Sequence, residues 1–490
     1  MSETHTVNLD TKNHVPHPSE LFIGGEWVEP AGTGMADVIS PTDGSRICSL
    51  PLPSIEDARL AVEAAARAFD GWNQLALSER REHIARLCKA LESRSADMER
   101  VWALETGIAV QTGAAFTGAA QASWTDTLAF TESMSLNEVR ETPLGKVEVR
   151  HEGVGPTVAI LTYNGPLVEM GMVVIPSLLA GNPCIVKLPP ENRMLGYLFA
   201  DAAAEAKLPS GLLSILAGEA DVSRYLVAHQ DVAAVHFTGG TAIGAEIMKV
   251  CADRMAHVTL ELGGKSAAII APDANLEDVV PVLAGGLTMM SGQMCIAMSR
   301  ILVARPLHDE LVERLVSFFA EVKIGDPLDP ETVWGPLASQ RARERAEGFI
   351  SRAVDEGAQI ACGGTRPPEF PEGHFLTPTV LTNVKNDMEV AQEEVFGPVF
   401  SVIPFDSIDE AVELANASKY GLAGSIFTQD EALALDVARR VRSGAFSINA
   451  TFPCLTAPFG GMKQSGFGRE GGMEGLLELT NIKSIALPVN

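Results

Sequence analysis

No apolar run in the 490 residues reaches the roughly 18 that a membrane-crossing helix needs. Basic residues are scarce: 37 Lys and Arg stand against 63 Asp and Glu, a net charge of −26. Such a surface repels phosphate backbones and anionic lipid, so neither nucleic acid nor a membrane is an expected partner. Metal signatures are missing as well. The seven cysteines (Cys48, Cys88, Cys184, Cys251, Cys295, Cys362 and Cys454) never form CxxC, and the ten histidines form no HxH or HxxxH pair. That argues against a zinc site, and the odd, scattered thiols argue against a disulfide framework. Free thiols in a large chain point to a reducing, cytoplasmic setting. The first twenty residues lack the basic start and apolar stretch of a signal peptide and read as a loose polar arm. With 46% hydrophobic and 20% charged residues the chain is folded rather than disordered, and its length suggests two or three domains.

What is present is alternation. After Pro53, Ala58, Val62, Ala65 and Phe69 recur at helical spacing, with Ser54 and Asp57 as an imperfect capping box. From residue 145 onward, short β-branched runs alternate with Ala-rich helical stretches. The expected strands are Thr157–Thr162, Cys184–Lys187, Leu213–Leu216 and Ala234–Phe237, and the expected helices are Leu167–Leu179, Leu195–Ala206 and Ala242–Ala252. That order implies a parallel sheet covered on both faces, with ligands at the carboxyl ends of the strands. A second α/β series follows residue 262: Ala267–Ile270, Ile301–Ala304, Val399–Pro404 and Gly424–Phe427, with Arg366–Pro378 a proline-rich loop. Lys146–Arg150 alternates as an exposed two-stranded ribbon would, and Ile482–Leu487 reads as a further strand. Open ribbon edges recruit partner strands.

Several residues can carry chemistry, each beside a plainer reading. Cys295, in SGQMCI, follows Ser and Gly that suggest a bend or helix start, where backbone N–H groups would stabilise a thiolate; the plainer reading is a buried structural thiol. Glu261, inside the apolar strand Val258–Leu262, is desolvated and so suited to general-base work, unless Lys265 simply pairs with it. The two glycines after it let the chain turn and a ligand approach. Asn164 ends a strand and can donate to an oxyanion, though its local sequence reads as a turn before Gly-Pro. FTGGTAIG (Phe237–Gly244) is a strand, a glycine turn and a helix start able to take a pyrophosphate, but it lacks both the P-loop and the GxGxxG spacing. Glu394 and Phe396 offer a carboxylate for ribose hydroxyls and a ring to brace a flat group. PFGGMKQSGFGRE (Pro458–Glu470) is too glycine-rich for a helix and reads as a loop packed close to something.

Together these segments resemble the aldehyde dehydrogenase superfamily. The similarity runs from Ile23-Gly24-Gly25-Glu26-Trp27 to the C-terminal strand, with the Asn-containing strand end, FTG, ELGGK, GQxC, EExFGP and PFGGxKxSGxGRE in the family's order. The resemblance implies an α/β fold with a Rossmann-like dinucleotide-binding domain (1–128 and 152–262), an α/β catalytic domain (263–462) and a small β arm (129–151 and 478–490) that joins subunits into a homodimer or homotetramer. It implies NAD(P)-dependent oxidation of a small-molecule aldehyde to the acid, with Cys295 as nucleophile, Glu261 as general base, and Asn164 with the Cys295 N–H as oxyanion hole. By motif position, Thr162, Tyr163, Lys187, Gly239, Gly240, Gly244, Leu262, Glu394 and Phe396 belong to the cofactor site. A branch that passes the acyl group to coenzyme A lacks the ELGGK glutamate, so Glu261 favours water as acceptor. A cofactor-independent thiol esterase and a non-catalytic member of the same fold are the competing readings, disfavoured by Lys187, Glu394 and the intact Cys295 and Glu261.

The departures from the family pattern are specific. Tyr163 and Gly165 flank Asn164 where Trp and a bulky residue are usual, so the pocket mouth widens. Met172-Val173 replaces an aromatic-Lys pair, which leaves the proton route through that Lys in doubt although Glu470 is retained. Pro190 stands where a ribose-binding Glu is usual and Glu191 follows one residue late, pointing to NAD as coenzyme with NADP tolerated. Gly165, Met172, Met294, Ile296, Phe452 and Phe459, with Glu169 nearby, make an apolar substrate funnel, and no arginine near these motifs is expected to hold a second carboxylate. The expected substrate is a medium-sized apolar aldehyde.

Overall fold

The computed structural model describes residues 15–488; most of the expected N-terminal arm (1–14) lies outside them. The chain builds an α/β fold around two mainly parallel sheets, as the alternation predicts. In the first, five parallel strands run in the order His257–Leu262, Ala234–Gly239, Thr157–Ile160, Cys184–Leu188, Leu213–Ala217. Antiparallel edges extend it: Gly466–Phe467 beside His257–Leu262, and Leu21–Ile23 with Glu26–Val28 at the far side. The chain progresses outward in one direction from Thr157–Ile160 and then restarts at Ala234–Gly239 on its other flank. That reversal leaves a crevice at the carboxyl ends of these two strands.

Both faces of this sheet are covered, which is why its central strands are apolar throughout rather than alternating. Val158 and Ile160 join one core with Ala58, Val62 and Leu226, whereas Ala159 and Leu161 join the other with Leu178 and Leu198. Helix Ile55–Asn73 lies on the first face, started by the full Ser54–Asp57 capping box. The opposite face carries Arg193–Ala206 and the helical run Pro166–Ala180, backed by Leu77–Glu92, Ser95–Thr106 and Val110–Ser133. The run expected as one helix over Leu167–Leu179 contains a π-helical turn, Met170–Val174; such wide turns concentrate at functional sites.

The second sheet orders Gln359–Cys362, Thr379–Thr382, Val399–Phe405, Arg300–Ala304, Ala267–Ile270, Gly424–Phe427 and Ser447–Ile448, all parallel except the first. The third element is the expected β arm, with one strand more than the two that Lys146–Arg150 suggested. The ribbon is three-stranded: Asn137–Thr142 and Gly145–Gly153 form a hairpin, and Thr480–Ala486 pairs with Gly145–Gly153 along its length. The alternation of Lys146–Arg150 could not show that the third strand arrives from the far end of the chain. Among the described residues, no helix is long and apolar enough to cross a membrane, and all seven cysteines are free.

Candidate active site

A cleft of about 660 Å3 opens at the crevice of the first sheet and runs between the two sheets. Strand Thr157–Ile160 ends early, and the chain continues through Thr162, Tyr163 and Asn164 along the cleft wall. The turn after Ala234–Gly239 brings Gly239 and Gly240, strand His257–Leu262 brings Glu261 and Leu262, and the loop before Arg300–Ala304 brings Met294, Cys295 and Ile296. Lys187, Glu394, Phe396, Gly165, Glu169, Met172, Phe452 and Phe459 also line the cleft. Of the residues singled out from sequence, Gly244 alone does not. It sits in helix Thr241–Ala252, where a Cβ would meet Leu262 Cδ2 at 2.6 Å, so its smallness lets the helix press onto a cleft-lining side chain.

The Cys295 loop is held in an uncommon backbone conformation. Met290 and Ser291 have φ of 51° and 52°, values that non-glycine residues adopt only when their surroundings enforce it. Gln293, fully buried, enforces it here. Its amide nitrogen donates to Met290 O at 3.0 Å, and its oxygen accepts from the Tyr163 hydroxyl and from the Ala338 N–H, both at 3.0 Å. The expected helix start at Cys295 is absent: a short 3-10 turn, Met289–Gly292, precedes the cysteine, which stands on a non-helical turn. The thiol pKa is raised rather than lowered, by burial first and then by Glu394, Glu261, Glu169 and Glu470. Four carboxylates scattered along the chain converge here, so the local reading of a dipole-stabilised thiolate fails.

Glu261 is 3% exposed and neither carboxylate oxygen meets a well-formed hydrogen bond. Desolvation, reinforced by Glu470, lifts its pKa well above 4.5 against the opposing pull of Arg469 and the Gly461 N–H. The alternative pairing with Lys265 is not made: the Lys265 ammonium is buried without a hydrogen-bond partner, and burial draws it down to about 7. The two glycines between them serve close packing within the protein. A Cβ at Gly263 would meet the Glu394 carboxylate at 2.4 Å, and one at Gly264 would meet the Cys295 carbonyl oxygen at 2.4 Å. The Gly264 N–H donates to Glu394 at 3.0 Å; burial still raises Glu394 to about 7. The glycine-rich loop packs against the Glu261 strand, Gly466 standing opposite Glu261 and Ser465 donating to Gly263 O at 2.7 Å.

Glu169 is committed rather than free. It accepts from the Thr162 N–H at 2.7 Å and meets the Thr162 hydroxyl at 2.9 Å, and burial raises it to about 8. At the other end of the cleft Lys187 donates to Leu188 O at 2.9 Å; burial lowers its pKa to about 8 although Glu219 and Glu191, which line the same cleft, act to raise it. Phe396, with φ of 57°, meets the Tyr163 ring edge-on at 6.0 Å.

A profile of the aldehyde dehydrogenase family matches residues 27–485. The chain belongs to the aldehyde dehydrogenase family. It is 36% identical over 471 residues to a geranial dehydrogenase of Castellaniella defragrans, covering 95% of this chain and 98% of that protein. It is also 36% identical over 468 residues to a betaine aldehyde dehydrogenase of Mesorhizobium japonicum, covering 95% and 96%. Among solved structures, a Mycobacterium tuberculosis aldehyde dehydrogenase complexed with NAD+ superposes with a TM-score of 0.93 at 36% identity, covering 96% of this chain and 98% of that one. A Staphylococcus aureus betaine aldehyde dehydrogenase in complex with NAD+ gives 0.94 at 33% identity, covering 97% and 96%.

Sequence reasoning missed several residues that line the aldehyde dehydrogenase cleft. Phe116 comes from helix Val110–Ser133, far from any motif, and meets Phe452 edge-on at 6.0 Å. Leu455 belongs to the same apolar end. Arg341 also lines the cleft, against the expectation that no arginine would. Its helix, Gln340–Asp355, approaches from the Glu394 side, since Arg345 one turn later donates to the carbonyls of Glu394 and Val395. Arg341 therefore enters at the opposite end from Phe452 and Phe459. His236 was likewise unmarked; it is buried and hydrogen-bonded to Glu470.

Proposed function

We propose that this enzyme oxidises a medium-sized, apolar aldehyde to its carboxylic acid with NAD. The observation that carries the reading is the convergence of Cys295, Glu261 and Asn164 on one cleft whose far end holds Lys187 and the glycine turn. The cleft fits a dinucleotide: Gly240 opens helix Thr241–Ala252, a Cβ there would meet nothing within 4 Å, and Lys187 and Glu394 stand at separate stations along the wall. NAD, when bound there, supplies the hydride acceptor and a positive charge that favours the thiolate. Solved relatives complexed with NAD+ support the same coenzyme.

The chain's own residues do the rest. The Cys295 sulfur attacks the carbonyl carbon to form a thiohemiacetal, and the Asn164 amide with the Cys295 N–H donates to the oxygen that gains charge. After oxidation the acyl group is held as a thioester on Cys295. Glu261, whose pKa is raised by burial, takes a proton from water as that water attacks the thioester carbonyl.

Substrate class rests on the Phe116–Phe452 end. Gly165, Val168, Met172, Leu455 and Phe459 continue an apolar surface there. Glu169, bound to Thr162 and raised to about 8, offers no settled negative charge to a cationic aldehyde at neutral pH. The relative named geranial dehydrogenase is consistent with an acyclic apolar aldehyde. The domain division stated above, a cytoplasmic location, and assembly into dimers or tetramers through the three-stranded ribbon belong to the same proposal. Val139, Leu144 and Ile482 are exposed on or beside that ribbon. Absorbance at 340 nm with NAD and a panel of acyclic, aromatic, carboxylated and quaternary-ammonium aldehydes tests it. The highest kcat/KM is expected for the acyclic apolar members; best turnover of a carboxylated or cationic aldehyde overturns the substrate class, and absence of NADH with all of them overturns the activity.

A further inference from the structure

We propose that Arg341 is a coenzyme-binding residue, the cation that meets the diphosphate of NAD from the half of the molecule opposite the glycine turn. The inference rests on the reading of NAD as coenzyme and adds a residue that none of the sequence motifs contains. The chain carries a net charge of −26, and the cleft follows it. Among the described residues, six glutamates line its wall against two cations, Lys187 and Arg341. In NAD the diphosphate alone is anionic; the adenine and riboses are neutral and the nicotinamide ring is positive. A diphosphate entering a wall of carboxylates is repelled unless a cation answers it. Lys187 is already engaged, its ammonium donating to Leu188 O at 2.9 Å while Glu219 and Glu191 act on it. The charge that answers the diphosphate is therefore Arg341.

Nothing in its own helix accounts for this arginine. Arg341 is the second residue of Gln340–Asp355, whose later turns pack Ala346, Phe349 and Ile350 into the core of the second sheet. The other arginines of that helix are engaged. Arg343 donates to Gly373 O at 2.6 Å, Arg345 to Glu394 O at 2.6 Å, and Arg352 pairs with Glu389. Arg341 is exposed and, among the described residues, makes no hydrogen bond and no ion pair. Glu344, one turn along, already accepts from Gln340 at 2.6 Å, and the next residue, Arg345, repels it. The first turn is also where a cation opposes the helix dipole, and no acidic residue there offsets it. The guanidinium stands on the cleft wall all the same, where its planar fork of N–H groups matches two phosphate oxygens. It comes in on the Glu394 side, away from the Phe116–Phe452 end assigned to the aldehyde, so the anion it meets belongs to the coenzyme.

Calorimetric titration of the enzyme with NAD, without aldehyde, reads the contact directly. Arg341 is exposed on a first turn, so its substitution leaves the packed core untouched. Arg341→Gln is expected to raise the Kd for NAD about tenfold, the scale of one hydrogen bond to a charged group. Arg341→Glu is expected to raise it further, and Arg341→Lys to fall between the unmodified enzyme and the Gln variant. ADP-ribose and NADP, which keep the diphosphate, are expected to lose the same factor as NAD. Rising ionic strength is expected to weaken NAD binding by the unmodified enzyme more than by the Gln variant. In turnover the KM for NAD rises, with a much smaller change in kcat. A Kd for NAD that neither the Gln nor the Glu variant changes overturns the proposal. So does a loss confined to NADP, which moves the contact to a 2′-phosphate, or a loss with NAD that ADP-ribose escapes, which moves it to the nicotinamide end. A rise confined to the KM for aldehyde overturns it as well. An unmodified enzyme that does not bind NAD fails at the prior reading of the coenzyme, a result distinct from all of these.

Discussion

The Tyr163 hydroxyl donates to the Gln293 amide oxygen at 3.0 Å, tying the strand end that bears Asn164 to the loop that bears Cys295. Tyr163 is itself anchored, its carbonyl accepting from Trp102 Nε1 at 2.7 Å. Gln293→Leu leaves the Tyr163 hydroxyl and the Ala338 N–H without their partner, while the Met290 carbonyl keeps the backbone N–H of residue 293. At about 1–3 kcal/mol for each buried group left unmade, a loss of about 3 kcal/mol in unfolding free energy is expected by denaturant titration. A fall in kcat larger than any change in KM is expected alongside it, because nucleophile and oxyanion donor lose their shared support.

Cys295→Ala removes the atom proposed to bond to substrate. NADH formation at 340 nm is expected to fall by about 10^3-fold or more. Glu261→Gln acts later in the cycle: one NADH per site still forms in a rapid burst, and steady turnover drops by about 10^2-fold or more.

The pH dependence has a definite sign. Glu261 acts as a base only when ionised, and its pKa lies well above 4.5; the Cys295 thiol lies above its ordinary 9.0 in the coenzyme-free enzyme. Both push the acid limb upward, so the steady-state rate is expected to rise from pH 6 through pH 8. A rate already flat across that interval contradicts the arrangement.

Glu169 links pH to stability in the opposite direction from a salt-bridged acid. Burial raises it from 4.5 to about 8 in the folded chain, so between those values the folded state binds more protons than the unfolded one. Stability is fully present below about pH 4.5 and is lost as pH rises toward 8. Glu169→Gln keeps an acceptor for the Thr162 N–H and does not titrate. The melting temperature of the unmodified protein is expected to drop more between pH 5 and pH 8 than that of the variant, in scans at one heating rate.

Glu191 and Glu219 line the cleft near Lys187 and oppose an added phosphate. Catalytic efficiency with NAD is expected to exceed that with NADP by about tenfold or more, and Glu191→Gln to narrow the gap by improving NADP alone.

That Cys295, Glu261 and Asn164 would meet in one cleft was legible in the sequence. Cys295, Glu261 and Asn164 each end or interrupt an apolar run in a way that any fold must accommodate, and the parallel strands showed themselves through β-branched runs between helices. What stayed hidden is what arrives across the fold. Phe116 reaches the cleft from a long helix with no motif, and Arg341 from helix Gln340–Asp355, which carries none of the motifs either. His236 reads as one odd residue in a strand until register and the return of Glu470 bring the two together. The thiol of Cys295 was misread for the same reason: its electrostatic surroundings come from Glu169, Glu261, Glu394 and Glu470, which no window of sequence contains. The packing of Gly244 on Leu262 was also hidden, because a glycine near a turn looks the same whether it admits a ligand or a neighbouring leucine.

The proposed base and nucleophile sit on different scaffolds: Glu261 lies at the end of a strand of the first sheet, next to its last residue, and Cys295 stands on the loop that feeds the second. A slip of one against the other by an ångström or two would leave the circular dichroism spectrum intact and the chemistry dead, so activity reports on how the two halves dock, and spectroscopy of secondary structure does not.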